Sequence, residues 1–289
     1  ELYLWNKDYE SAAKKGINLI TGQALTPAGD VNKFTLSEQF GKTKMWSTLF
    51  SDSPANPQTN EGLTMVLYDY SQRQINPLYS LFSSEPACEY YMKPTSVMTS
   101  RFSTRADYQL SGSQVAADPR NNPVTYTTSM GESVVNKYNY IRSIQSQDAP
   151  IYIYRAAEIH LMIAEALTAL GNYDAADAII NDGFKPYWVA GNRYNPPFDA
   201  PIYAYEKLKG GLGVRGRLNI PAVRSTDERF MGDITPNSPE YTERRRQVLD
   251  SLIIEETGRE LAGEGKRWFA MMRIARNNND PAMLARMVT

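Results

Sequence analysis

Between Tyr152 and Ile180 the chain reads as two helices joined by Gly171-Asn172. Tyr152, Ala156, Ile159, Ile163, Ala166 and Leu170 recur at three- and four-residue steps, which puts them in one apolar stripe. Gly171 stands where a left-handed C-terminal cap belongs. Asn172 can cap a second helix, Tyr173 to Ile180, whose Ala175, Ala176 and Ile179 face back. So short a link returns the second helix antiparallel to the first. The product is a helical hairpin of the tetratricopeptide type, which needs neighbours to bury its faces. Lys7–Ile20 is the one obvious neighbour. Tyr9, Ala12, Ala13, Ile17 and Ile20 make its stripe, and Gly22 and Thr26-Pro27 end it.

A second helical stretch runs from Tyr241 to about Arg276. Val248, Leu249, Leu252 and Ile253 carry its first part, and Trp268, Phe269, Met271 and Met272 its second. Gly258, Gly263 and Gly265 predict a break. Elsewhere Trp46, Leu49 and Phe50 are core anchors, Ser51–Gly62 is turn-rich, and Leu63–Tyr70 reads as a short buried strand. Residues 83–136 are loop-like, with a turn at Asp118–Pro123 set by two prolines and local Asx bonding. Residues 184–240 are irregular, and so long a loop in a compact domain is usually functional. The expectation is one mainly α domain over residues 1–289, with helical hairpins, long irregular loops and a few short strands.

Several function classes drop out. Formal net charge is −1, so no basic excess attracts nucleic acid or anionic lipid. No apolar run is long enough to span a membrane. Cys88 is the only cysteine, which rules out an internal disulfide, and it reads as a small buried hydrophobe. His160, the only histidine, sits in the strongest helix, which leaves histidine-based catalysis and zinc binding at most one group. Gly211-Leu-Gly213-Val-Arg-Gly216 matches a dinucleotide fingerprint in spacing only. No apolar strand precedes it, and Pro221 forbids a long helix after it, so it reads as a flexible loop. Among the 32 acidic residues some pair lies at glycosidase spacing by chance, and no motif marks one. No catalytic residue or metal ligand is therefore singled out and no cofactor is required, while binding of a calcium ion is left open by the sequence.

Tyrosine (19) far outnumbers phenylalanine (9), and there are 4 tryptophans. Trp5 and Trp46 fit either core or site, with core the favoured reading. Tyr187, Trp188, Tyr194, Phe198, Tyr203 and Tyr205 cluster in the irregular stretch, among Asn192, Arg193, Asn195 and Asp199. Sugar C–H faces stack on such rings while sugar hydroxyls bond to the polar neighbours. The other reading is that these rings seal the loop onto the helices.

The charged runs have a structural reading of their own. Glu158 and Glu165, seven apart, share a helix face. Glu255 and Arg259 stand at i,i+4, and Glu260, Glu264 and Arg267 can extend that set. Half-buried charges must pair, so these runs read as architecture.

Three segments together resemble the SusD/RagB family, the surface glycan-binding lipoproteins of Bacteroidetes. Ile153–Leu167 followed by Gly171 is similar to the family's R-x-A-E-x-x-L-x-x-A-E-A helix. Glu256–Arg273, above all Arg259–Phe269, is similar to its E-R-x-x-E-L-x-x-E-G-x-R-x-x-D-L-x-R run. Asp118-Pro119-Arg120 and Lys137-Tyr138 match more loosely. Thr257 and Ala270 depart from the family's usual Arg and Asp, which implies a thinner buried ion-pair network. The resemblance covers the whole chain and the larger, C-terminal part of a family member, with the lipid-bearing cysteine and first helical repeats upstream. It implies a SusD-like α/α fold, non-catalytic binding of an extracellular glycan, and a place on the outer membrane. It also implies a SusC-like TonB-dependent transporter as partner and membrane contact only through an N-terminal lipid. Family glycan sites are shallow aromatic platforms on loops, which selects Trp188, Tyr187, Tyr194, Asn192 and Arg193. The competing readings are a helical-repeat adaptor that binds protein and a glycoside hydrolase.

Overall fold

The computed structural model describes residues 1–20, 46, 49–50, 61–103, 118–121, 123–138, 147–183, 213–218 and 220–288. The chain divides into two compact units, residues 1–36, 156–261 and 265–289 in the first and 37–155 with 262–264 in the second.

The first unit is helical. Its described helices are α1 (Leu2–Trp5) and α2 (Tyr9–Ile20), then, after the second unit's elements, α5 (Ala156–Ala169), α6 (Tyr173–Asn181), α7 (Glu228–Met231), α8 (Pro239–Glu260), α9 (Arg267–Asn277) and α10 (Pro281–Val288). α5 is its centre, because twelve of its fourteen residues are buried. A helix enclosed on every side must be apolar all round or neutralise its polar groups. Here α2, α6 and α8 pack around it. The hairpin therefore has two neighbours, α2 and α8, not the single one its sequence offers.

α5 ends as expected. Gly171 takes φ 78°. Asn172 N donates to Leu167 O at 2.8 Å and Gly171 N to Thr168 O at 3.1 Å. That bond pair is the Schellman closure, open to glycine because it lacks a Cβ. Asn172 stands at the N-cap of α6, but its side chain makes no capping bond. α8 starts as Ser238-Pro239 dictates, with the serine side chain accepting from Tyr241 N at 3.0 Å. The break after α8 falls where the glycines place it, with Gly263 at φ 77° and Gly265 at φ 74°.

The segment read as a flexible glycine loop is packed. Val214 N and Arg215 N donate to the carbonyls of Ile179 and Ile180. Val214, Arg215, Arg217 and Leu218 are buried. A Cβ on Gly213 would lie 2.5 Å from the Asn181 carbonyl carbon. That glycine serves backbone-to-backbone approach, not phosphate binding. With Ile220, Val223 and Ser225 also buried, residues 213–218 and 220–225 pack largely into the unit's interior, whereas 226–240 are mostly exposed.

The second unit holds α3 (Pro77–Phe82), α4 (Ser96–Ser103) and the strands β1 (Gly62–Val66), β2 (Tyr126–Ser129), β3 (Glu132–Val135) and β4 (Ile151–Arg155). β1 pairs antiparallel with β4, and β2 with β3. β1 is shorter and wetter than expected, since Val66 and Leu67 are exposed. Tyr152 belongs to β4 rather than to the helical stripe. Alternating β-branched and aromatic residues, Ile-Tyr-Ile-Tyr, favour a pleated strand up to Arg155. The loop-like stretch 83–136 contains α4 and the β2–β3 hairpin, whose turn puts Met130 and Gly131 at positive φ. Trp46, Leu49, Phe50 and Val124 form one core cluster, and Phe82, Val135, Tyr138 and Ala149 another. Cys88 is half-buried, not the core residue expected.

Gly213→Ala should destabilise the protein by about 3 kcal/mol, because the added methyl meets backbone that cannot rotate away. Urea unfolding checks this. A change of a few tenths would show that the strand-like approach to α6 is dispensable.

Candidate functional site

The exposure of the two charged motifs decides what they can do. In the second unit, Glu264 Oε1 accepts from Lys137 Nζ at 2.6 Å and from Arg155 Nη2 at 3.0 Å. Its Oε2 accepts from Arg155 Nε at 2.9 Å. Arg155 Nη1 donates to Glu61 Oε1 at 2.6 Å. The four side chains are between 0% and 4% exposed. Lys137 Nζ also lies 4.6 Å from the centre of the Phe50 ring. Burial pushes the Glu264 carboxyl upward, but Arg155 and Lys137 outweigh it and hold the group below the usual carboxylate range. Trp46, 2% exposed, donates its Nε1 to Thr125 and is core as expected.

The first unit repeats this arrangement. Arg273 grips Glu165 through two parallel bonds of 2.8 and 2.6 Å. Lys266 pairs with Glu158. Arg215 pairs with Glu256, and Arg217 with Glu260. Glu158 and Glu165 thus share a face, as their spacing requires. Glu260 and Glu264, expected to extend one helical set, instead pair with separate cations far along the chain. Thr257 returns its hydroxyl to Ile253 O at 2.7 Å, and the network is extensive without the usual arginine there. His160 is buried, with Nδ1 2.7 Å from Ala156 O. A carbonyl only accepts, so Nδ1 carries the proton.

The expected glycan residues Tyr187, Trp188, Asn192, Arg193 and Tyr194 lie outside the described residues, as do Phe198, Tyr203 and Tyr205. Trp5 is half-buried, with the guanidinium groups of Arg273 and Arg276 5.9 and 5.7 Å from its ring centre. Trp268 and Phe269, read as the apolar face of their helix, are instead 50% and 51% exposed. Among the described residues no cluster of three metal-ligating side chains occurs, and no helix is long and apolar enough to cross a membrane.

Sequence reasoning missed a cleft of about 570 Å³ along α8, completed by Phe230 of α7, the turn after α9, and α10. Asp250, 5% exposed, lines it, and its Oδ2 accepts from Arg246 Nη1 at 2.9 Å and Asn278 Nδ2 at 2.6 Å. Burial pushes its pKa up to about 7, with Glu165 and Glu243 adding to the rise while Asn278 and Arg246 oppose it. Nothing in the sequence distinguishes these polar positions from an ordinary wet helix face.

Two expectations follow. Glu264→Gln leaves two buried cations facing a neutral amide, so stability should fall by about 3–5 kcal/mol in denaturant unfolding. Adding Lys137→Met should recover part of that loss. The second concerns pH. The fold binds the Asp250 proton more tightly than the unfolded chain does. Its contribution is therefore complete below about pH 4 and is lost as pH rises toward 7. Between pH 5 and 8 the parent should lose about 2 kcal/mol that Asp250→Asn does not lose. Parallel slopes for the two proteins would contradict this.

Comparison with known proteins agrees with this architecture. The sequence profile of the SusD family matches residues 64–286. The fold is similar to a SusD superfamily protein from Bacteroides thetaiotaomicron VPI-5482, with TM-score 0.55, 17% identity, and coverage of 99% of this chain and 50% of that one. It is also similar to a SusD-like protein from Bacteroides fragilis NCTC 9343, with TM-score 0.52, 14% identity, and coverage of 94% and 52%. The chain thus spans about half the length of these structures, less than the larger part that its motifs suggest. No curated protein matches it. With its motifs buried as ion pairs in a mainly helical fold and the family profile matched over most of its length, the chain belongs to the SusD family.

Proposed function

We propose that this protein holds an extracellular polysaccharide or oligosaccharide without altering it chemically, on rings of the segment that follows α6 in the chain. The observation that carries this reading is the fate of the charged motifs. Arg155, Glu165, Glu260, Glu264 and Arg273 are buried and committed to ion pairs. Carboxylates so engaged are poor candidates to protonate a leaving group or activate water. That leaves recognition to side chains outside the motifs. The densest set of flat apolar groups with polar neighbours is Tyr187, Trp188, Asn192, Arg193 and Tyr194. Rings desolvate one sugar face, and the amide and guanidinium groups set its orientation. Family membership supports a place on the outer surface of the outer membrane, held by an N-terminal lipid. It also supports delivery of the glycan to a SusC-like TonB-dependent transporter. No cofactor enters this function.

One observation favours the alternative, a helical adaptor for protein. Trp268 and Phe269 stand side by side and half exposed on α9, and exposed aromatic pairs are frequent in protein interfaces. The two readings separate by mutation. A glycan array first identifies the ligand, and calorimetry with that glycan then compares variants. Trp188→Ala should weaken binding by about 2 kcal/mol, roughly thirtyfold, with an unchanged melting temperature. Trp268→Ala should leave it untouched. Unchanged affinity for Trp188→Ala places the platform elsewhere, and an array without hits favours the adaptor.

A further inference from the structure

The cleft along α8 presents a mixed polar and apolar wall. Its lining charges balance, Arg244, Arg246 and Arg286 against Asp250, Glu255 and Asp280, so the wall carries no net charge to draw in a charged guest. Asp250 pairs with Arg246, Asp280 with Arg286, and Glu255 with Arg267. Its uncommitted polar atoms are of both kinds. Both bonds to the buried Asp250 carboxylate go to Oδ2, so Oδ1 has no partner among the described residues. Asn278 donates its amide to Asp250 and keeps its carbonyl oxygen available. Gln247 likewise donates to Glu243 and keeps Oε1. Arg244 is anchored through Nε to Phe230 O at 3.0 Å, and its two terminal nitrogens have no partner among the described residues. Phe230, Leu252, Met283 and Met287 supply the apolar share of the wall.

A guest here must donate to several acceptors, accept from one guanidinium, and present an apolar face while carrying no net charge. A hydroxyl does both polar tasks with one group, because it is one donor and two acceptor sites. A ring bearing several hydroxyls and a C–H face meets every requirement. A volume of about 570 Å³ is within the range of small-ligand sites, too small for a folded partner. We propose that this cleft is a second binding site, for one or two units of a neutral sugar, separate from the rings at 187–194. The inference shares its ligand class with the function proposed above but not its residues, so either can fail alone.

The test uses the whole chain with carbon-13 methyl-labelled methionine, reading Met283 and Met287 by NMR. Maltotriose, cellotriose, xylotriose and mannotriose are titrated at millimolar concentration, with trigalacturonate as the charged control. At least one neutral trisaccharide should shift both methyls saturably, in the parent and equally in Trp188→Ala. Ser251→Trp, which fills the cleft, should abolish the shift while retaining the parent's melting temperature. Gln247→Trp, at an exposed position, serves if Ser251→Trp unfolds. The proposal is overturned if no neutral trisaccharide moves these methyls, if only trigalacturonate does, or if a folded cleft-filling variant responds like the parent. Loss of the response in Trp188→Ala also overturns it, because the two sites would then be one.

Discussion

Two cations, Lys137 and Arg155, share the single carboxylate of Glu264 where almost no water reaches. Each of those charges costs several kcal/mol to take out of water. None could remain ionised there without the others, and Glu61 completes the set by taking the last arm of Arg155. Aromatic faces of Trp46 and Phe50 close over the two cations and exclude water further. Position, charge state and packing of the second unit's interior are thereby tied to one another. The price of such an arrangement is intolerance. An isolated change strands a charge, whereas a paired change need not.

The same rule organises the helical unit. α5 is buried on nearly every side, so Glu158 and Glu165 had to find cations, and Lys266 and Arg273 supply them. A run such as Arg259–Phe269 looks from its letters like a site rich in chemistry. Its carboxylates Glu260 and Glu264 are fully engaged by Arg217, Arg155 and Lys137. The chemistry of the motif is the chemistry of solvation.

What could be read from the letters was local. The helical hairpin, the glycine closure at Gly171, the break near Gly263 and the core roles of Trp46, Leu49 and Phe50 each follow from neighbours in sequence. What could not be read was long-range. Glu264 and Lys137 are 127 positions apart and Glu165 and Arg273 108, so no spacing rule selects those partners. Gly213 imitated a phosphate loop because the close approach it permits is to Asn181, a contact made only after folding. Trp268 and Phe269 carry the composition of a core face yet stand in the open. The α8 cleft was hidden because Gln247, Ser251 and Asn278 are the residues any solvated surface would use.

Buried charge builds this protein, and recognition is proposed to fall to the rings at 187–194. Hydrogen exchange read by mass spectrometry, with and without the glycan selected by array, tests that division directly. Bound glycan should slow exchange within residues 184–212 and leave peptides holding Lys137, Arg155 and Glu264 unchanged. Protection centred on those three residues, with none in 184–212, would contradict it.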